Sequence, residues 1–523
     1  MGRQAESGGL LVRTASPELR ALVPIDRRTG IPLHRQLYDG LRRAILEALL
    51  RSGQRLPATR VLATELGVSR LTVLTAYEQL RHEGYLEGRV GSGTFVRAAP
   101  PDHALHAEPS PAHTTPTGAR TRPTAPRDAG GLRPFRVSLP ALDAFPHATW
   151  ARLVARHARA LRPAHMAYGD PAGLGALREA IAAHLRTARA VRCEGAQVLI
   201  VSGSQAALRL CAAVLLARGD RAAVEEPGYP GAHNALAAGG ATLTPVPVDG
   251  EGIDVTALDA LGDRVRAAYV TPSHQYPLGM SMSAARRLAL LDWARRRGAW
   301  VLEDDYDSEY RYVSRPLGAL QGMEPASDSG RVVYIGTFSK VLFPALRVGY
   351  VVVPPALWDA FVEARDALDI FQPTLYQLVL ADFLDQGHFA RHLRSMRALY
   401  MGRRDALLDG LARHCDGSLT VGNADAGLHV TARLPAGSDD VAVVRQLSAR
   451  GLAPSALSAC YAGPAVAPGL LLGFGGSREP ALTRATRLLG EVLRDPSRES
   501  APAHPARSPA RVGASTRGPI PRI

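Results

Sequence analysis

The sequence predicts an α/β protein in two parts: a small helical amino-terminal module ending in a strand ribbon, and a large domain with a mostly parallel sheet covered by helices on both faces. Three observations carry this. From about residue 134 to 495, short apolar runs alternate with amphipathic helical stretches; the runs include QVLIVSG, RAAVEEP, RAAYVTP, AWVLEDD, VVYIGTF and RVGYVVVP. Apolar runs without polar alternation indicate parallel strands buried on both sides. Residues 98–133 are Pro, Ala, Thr and Gly with little that can pack, as in a linker. With 523 residues the chain is also too long for one ordinary core.

Taken in order, residues 1–29 read as a flexible arm. In IPLHRQLYDGLRRAILEALL, Leu33, Leu37, Leu41, Ile45 and Leu49 share one helical face. LPATRVLATELGVSRLTVLTAYEQLRHEGYL then reads as two helices broken at LGVSR, with Gly67 as the turn and Ser69 as N-cap of the second. This is a helix-turn-helix whose second helix enters the major groove by its amino-terminal end. GYLEGRVGSGTFV follows as two strands around a Gly-rich tip, a wing on which Arg89 stands near Gly91 and Gly93. LPxxR, GVSRxT, AYxxL, EGYL and GSGTFV, in that order, resemble the winged-helix domain of GntR-type bacterial regulators over residues 30–97. The resemblance implies double-stranded DNA, the operator, as partner. Arg60, Ser69, Arg70 and Thr72 would contact it from the helices, and Arg89 and Ser92 from the wing. The competing reading is a three-helix interaction domain. Up to position 97 there are 15 Arg against 9 acidic residues, a balance that suits nucleic acid.

The formal charge of +14 points the same way, although Arg-rich tails would also supply it. Cys193, Cys211, Cys415 and Cys460 are scattered without a CxxC, which argues against a disulfide framework or a zinc site; no metal is expected. No stretch has the roughly 20 apolar residues of a membrane span, nor is there a signal peptide, so a cytoplasmic protein is expected. Residues 496–523 have the composition of a disordered basic tail.

Of the 62 lysines and arginines a single one, Lys340, is lysine. Arginine replaces lysine wherever a positive charge suffices, but guanidinium does not lose its proton to attack a carbonyl. Lys340 follows an apolar run in VVYIGTFSK, ahead of Pro344 and Arg347. An amine binding a pyridoxal cofactor needs a carboxylate for the pyridine nitrogen, a donor for the ring hydroxyl, a stacking partner and a phosphate cradle. In VLEDDYDSEY, Asp304 is the candidate carboxylate and Tyr306 the donor, set after a strand where α/β sheets bind ligands; an acidic surface loop is the alternative. VSGSQAALRL is strand, turn and helix, so Gly203, Ser204 and Gln205 aim amides and a hydroxyl at a phosphate. Tyr229 in EEPGYPG would stack, and Thr337 with Arg347 would complete the cradle.

In this order the segments resemble the fold-type-I aminotransferases over about 360 residues. Joined to the winged helix, they resemble the MocR-type regulators. That resemblance implies pyridoxal 5′-phosphate as cofactor and Lys340 as its Schiff-base lysine, with the roles above. It also implies a homodimer in which Tyr168 of YGDPAG reaches the partner's phosphate. Two departures matter. In PSHQYPLG, Tyr276 stands where aminotransferases usually carry Asn, leaving His274 and Gln275 to contact the ring region. In GLLLGFGG, Leu471 replaces the Arg that commonly grips a substrate α-carboxylate. The expected function is therefore a transcriptional regulator responsive to pyridoxal phosphate, controlling vitamin B6 metabolism, with an amino-compound effector as an additional partner. The alternatives are control of 4-aminobutyrate, taurine or other amino-compound use, a working aminotransferase with an appended DNA-binding domain, and a DNA-binding protein whose large domain is only a scaffold.

Overall fold

The computed structural model describes residues 22–89, 91–97, 132–313, 318–324 and 330–494. The tail, nearly all of the linker and most of the amino-terminal arm lie outside these residues. The chain divides into two compact units, Met1–Arg127 and Asp128–Ile523.

In the first unit, α1 (Leu33–Leu46) buries Leu37, Tyr38, Leu41, Ala44 and Ile45. The expected stripe stops short of Leu49, which is 53 % exposed. The helix ends at Leu46, and Ala48 takes a left-handed φ of 56°. That bend turns Leu50 into the core in place of Leu49. Helix α2 (Thr59–Leu66) ends at Gly67, whose φ of 63° suits a residue without Cβ. Helix α3 (Arg70–His82) starts at Ser69, whose Oγ accepts from the Thr72 N–H at 3.1 Å. Val73, Ala76, Tyr77 and Leu80 form its buried face, against Leu37, Leu41 and Leu62. Strands β1 (Leu86–Arg89) and β2 (Gly93–Val96) pair antiparallel from Leu86↔Val96 to Arg89↔Gly93.

The second unit carries α4 (His147–Arg159), α5 (Gly175–Arg189), β3 (Val198–Val201), α6 (Ser204–Leu215), β4 (Arg221–Glu226), α7 (Pro230–Ala238), β5 (Thr242–Asp249) and β6 (Gly252–Ile253). There follow β7 (Val265–Val270), α8 (Ala284–Arg297), β8 (Trp300–Asp305), β9 (Val332–Thr337) and β10 (Gly349–Val352). Their sheet has the order β3-β10-β9-β8-β7-β4-β5-β6. The five strands β4, β5, β7, β8 and β9 are parallel, and β3, β9 and β10 are buried along their whole length, as the apolar runs predicted.

RVGYVVVP does not join the parallel set. It forms β10, antiparallel to both β9 and β3. Only residues 338–348 connect β9 to β10, too few for the helical crossover that a parallel return needs. The chain therefore reverses, and the reversal carries both Lys340 and Arg347. Because β3 is antiparallel to β10, its carboxyl end faces the same way as those of the parallel strands.

Beyond α9 (Trp358–Asp369) and α10 (Thr374–Asp385), α11 (His388–Cys415) leads to β11 (Thr420–Val421), β12 (His429–Arg433), α12 (Asp440–Ala449), β13 (Ser455–Ala456), β14 (Gly469–Gly473) and α13 (Glu479–Arg494). These strands make an antiparallel sheet in the order β11-β12-β14-β13. A strap over residues 134–141 is pinned across this subdomain. The Gly473 N–H donates to the Phe135 carbonyl at 2.9 Å, the Ala453 N–H to the Pro134 carbonyl at 2.8 Å, and the Ala141 N–H to the Tyr400 hydroxyl at 2.9 Å. Phe135 is fully buried despite a left-handed φ of 70°.

A Cβ at Gly473 would lie 2.1 Å from the Arg136 carbonyl oxygen and 2.8 Å from the Val137 Cα, both backbone atoms of the strap. Gly473→Ala is expected to push the strap off β14 and cost about 1–3 kcal/mol, read as a lower midpoint in denaturant with an unchanged slope.

Candidate functional site

Five strands deliver their chemistry at one edge of the sheet. At their carboxyl ends stand Ser202–Gly203 after β3, Tyr229 after β4, Thr271–Gln275 after β7, Tyr306–Asp307 after β8 and Ser339–Lys340 after β9. Parallel α/β sheets bind ligands at this edge.

The acidic run of β8 separates by strand alternation. Glu303 turns one way and accepts from the backbone N–H groups of Leu320 and Gln321 at 2.7 and 2.8 Å. Asp305 turns the same way and pairs with Arg189 Nε at 2.8 Å and the Tyr334 hydroxyl at 2.6 Å. Asp304 faces the other side, where Oδ2 accepts from the Tyr269 hydroxyl at 2.8 Å. Its Oδ1 is buried with no partner among the described residues. Burial pushes the Asp304 carboxyl up to about 7, helped by Asp305 and Asp307 and opposed by the Tyr269 hydrogen bond and Lys340. A cationic N–H placed at Oδ1 would satisfy both the hydrogen bond and the charge.

Lys340 donates from Nζ to the Ser138 carbonyl at 3.2 Å. Enclosure by protein lowers its amine from 10.5 to about 8; Asp307 and Asp304 oppose the shift, and Arg347 adds to it. The amine is thus much closer to its nucleophilic form at neutral pH than an ordinary lysine.

Beside it, the helix α6 opens at Gly203, whose φ is 92°. A Cβ there would approach the Arg347 guanidinium to 3.3 Å. Arg347, itself left-handed at φ 54°, donates to the Ser202 carbonyl. Ser204 and Gln205 form the first turn of α6, and the Gln205 amide reaches the Tyr229 hydroxyl at 3.4 Å. Thr337 Oγ1 donates to Ser339 Oγ at 3.1 Å, which adds Ser339 to the hydroxyls next to Lys340. The TFSK sequence held that signal.

The opposite wall is aromatic. The Tyr229 ring meets Tyr276 edge-on at 5.4 Å, and Tyr276 in turn lies 6.1 Å from Tyr306 and 5.4 Å from His429. His274 lies between Asp307 and Tyr306: Nδ1 donates to Asp307 Oδ1 at 3.0 Å, and the Tyr306 hydroxyl donates to the His274 carbonyl at 3.0 Å. This tautomer is assigned from the partners, and it leaves Nε2, which is buried and unpartnered, as an acceptor. Burial, His274 and Lys340 press His429 down to about 3, so it is neutral and donates from Nε2 to the Pro277 carbonyl at 3.1 Å. His274, Asp307 and His429 each bring an atom within 4.8 Å of the others, and these hydrogen bonds join His274 to Asp307 and His429 to Pro277.

Not every expected residue reaches the cleft. Gln275 is turned inward, its amide donating to Glu225, to the Pro227 carbonyl and to the Tyr276 carbonyl. Tyr168 is 85 % exposed, 6.1 Å edge-on to Phe371. Leu471 is fully buried among Leu278, Leu457 and Cys460. Conversely, Asp307, Tyr276, His429 and Ser138 were missed as site residues. Asp307 lay in the acidic run, whereas no local signal marks His429 or Ser138, which fold in from distant parts of the chain.

On the winged helix, Arg60 and Arg70 are exposed at the starts of α2 and α3. The hydroxyls of Ser69 and Thr72 bind each other at 2.8 Å. Arg89 pairs with Glu87 at 2.8 Å and lies 4.6 Å over the Phe95 ring, while exposed Ser92 closes the wing turn onto the Arg89 carbonyl at 2.9 Å.

Residues 143–467 match the family "Aminotransferase class I and II", and residues 33–96 match "Bacterial regulatory proteins, gntR family". The chain is 42 % identical over 460 residues to the probable rhizopine catabolism regulatory protein MocR of Rhizobium meliloti, covering 87 % of this chain and 92 % of that one. It is 35 % identical over 454 residues to the HTH-type pyridoxine biosynthesis transcriptional regulator PdxR of Corynebacterium glutamicum, covering 87 % and 94 %. The large unit is similar to a solved kynurenine aminotransferase of Pyrococcus horikoshii, with a TM-score of 0.65 and 27 % identity over 70 % of this chain and 91 % of that one.

With a single lysine, the depressed amine is directly measurable. Acylation of Lys340 followed by mass spectrometry should reach half its limiting rate near pH 8, and a midpoint near 10.5 would show an unperturbed amine. Between those two values the unfolded chain holds the extra proton, so wild type should gain stability relative to Lys340→Met as pH rises through that window.

Proposed function

The chain belongs to the MocR-type transcriptional regulators, in which a gntR-family domain is joined to an aminotransferase class I and II domain, and from this we propose that it regulates transcription by sensing pyridoxal 5′-phosphate at Lys340. The observation that carries the reading is the buried, unpartnered Oδ1 of Asp304, in the same cleft as an amine held near pH 8. Pyridoxal phosphate supplies an aldehyde that condenses with amines and a ring nitrogen that a carboxylate keeps protonated. Here Lys340 would take the aldehyde and Asp304 the ring nitrogen. Tyr306, oriented by His274, would face the ring hydroxyl, and Tyr229 the ring. The α6 amino terminus at Gly203, Ser204 and Gln205, with Thr337, Ser339 and Arg347, would hold the phosphate.

Residues 30–97 would bind operator DNA through Arg60, Arg70 and the wing, and residues 134–495 would hold the cofactor. In a cytoplasmic homodimer, exposed Tyr168 would reach the partner's phosphate group. Among the described residues no helix is long and apolar enough to cross a membrane.

A sensor must act unequally on two states. The strap gives a means. Ser138 holds a left-handed φ of 65°, and its carbonyl is held by Lys340, a few residues after the linker that carries the winged helix. Were Lys340 to hold the aldehyde, its nitrogen would keep at most one N–H, and its weaker grip on the Ser138 carbonyl would let the strained strap relax. Occupancy at Lys340 would thereby be felt where the linker ends and the large domain starts.

Control of vitamin B6 genes would suit a cleft that reads the cofactor itself; Leu471, in the place where the resemblance implies a carboxylate-gripping Arg, is packed in an apolar cluster. A second reading, in which an amino compound bound beside the cofactor is the signal, is favoured by a relative named for rhizopine catabolism. Repeated turnover of amino donors and keto acceptors would instead make the large domain an enzyme.

Borohydride reduction after incubation with pyridoxal phosphate should leave a mass adduct on Lys340 and none on Lys340→Ala, and the cofactor should alter mobility shifts of DNA from upstream of the gene. A reduced protein without the adduct rules out the sensing reading. Arg70→Ala should weaken DNA binding about 5- to 100-fold and leave the cofactor colour intact. Loss of both would argue against separable domains.

A further inference from the structure

Leu71 is the most exposed of the large aliphatic side chains in the described amino-terminal unit, at 69 %, ahead of Leu49, Ile31 and Val61. A lone exposed leucine is ordinary on a protein surface. Its position here is not. It is the second residue of α3, two positions after the Ser69 cap, at the end of the helix that a helix-turn-helix presents to base edges.

What surrounds it sharpens the point. The buried face of α3 is Val73, Ala76, Tyr77 and Leu80. Helical periodicity puts Leu71, Thr75 and Glu78 on the other side, and all three are exposed. The Thr75 hydroxyl donates back to the Leu71 carbonyl at 2.9 Å, so its methyl is the group left for an outside partner. The hydroxyls of Ser69 and Thr72 share one hydrogen bond at 2.8 Å, and Ser69 Oγ also accepts from the Thr72 N–H. Two of these three hydroxyl protons are thus engaged locally, which leaves the tip of the helix less able to donate to base edges. An isobutyl group, a methyl and the Arg70 guanidinium are the most prominent groups at the helix tip.

Among the four bases, thymine alone presents an apolar group, its 5-methyl, in the major groove. We infer that Leu71, backed by the Thr75 methyl, reads thymine methyl groups in the operator and makes thymine a required base beneath the start of α3. This assignment rests on the reading of residues 30–97 as a DNA-binding domain. It adds a specificity determinant to the arginines, whose guanidinium groups serve phosphates and guanine edges.

The test uses the full-length protein and a duplex selected by it from a library randomised over about 30 base pairs, long enough for two half-sites. Each thymine of the selected duplex is then replaced in turn by uracil, which removes the methyl and leaves the pairing edge unchanged. At one or two positions per half-site, uracil should weaken binding by wild type about fourfold each. Leu71→Ser should bind the thymine duplex less tightly and lose the distinction at those positions, while Leu71→Met, which keeps an apolar tip, should retain it. Thermal melts of both variants verify the fold. Equal binding of thymine and uracil duplexes by wild type, or an undiminished distinction in Leu71→Ser, overturns the inference and leaves DNA binding standing. If no duplex is enriched at all, the DNA-binding reading falls, and this inference with it.

Discussion

The structure of the cleft depends on keeping one primary amine among carboxylates in a largely dehydrated place. Burial alone would drive Lys340 far towards its neutral form and Asp304 towards its protonated form. Their proximity limits both shifts, leaving two groups that change charge near neutrality. Such a pair stabilises little by itself, because desolvation offsets most of the attraction. What it provides is responsiveness: a ligand bearing an aldehyde and a basic ring nitrogen would satisfy both groups at once.

The surrounding architecture serves that pair. The short β9–β10 reversal brings Lys340 and Arg347 to the edge where the parallel strands end. Strand alternation sends Glu303 and Asp305 into structural bonds and leaves Asp304 for the cleft. Tyr306 is kept from free rotation by the His274 carbonyl, and His274 by Asp307. The smaller subdomain contributes His429 on β12, so the cleft is complete only when both sheets are in place.

The strap places a second demand on the same amine. Two residues with side chains, Phe135 and Ser138, hold left-handed backbone there, a conformation that persists only under constraint from neighbours. Phe135 is constrained by burial and by β14, and Ser138 by Lys340. A single side chain therefore joins the chemistry of the cleft to the segment through which the winged helix is attached.

The fold class was legible because period and composition are local: apolar runs mark the buried strands, Gly67 and Ser69 mark the helix-turn-helix, and an isolated lysine stands out in a chain of arginines. Asp304 and Gly203 could be named as candidates for the same reason, each lying at or just past the end of an apolar strand run, and Arg347 just ahead of another. The direction of β10 was not legible, since an apolar run carries no sign of orientation and only the length of the connecting loop decides it. Nor were the inward turn of Gln275, the exposure of Leu49, or the arrival of Ser138 and His429 beside residues 202 and 152 positions away. Sequence determines which groups exist and what chemistry they permit. Tertiary structure decides which of them are desolvated together, because burial and distance depend on every other segment of the chain.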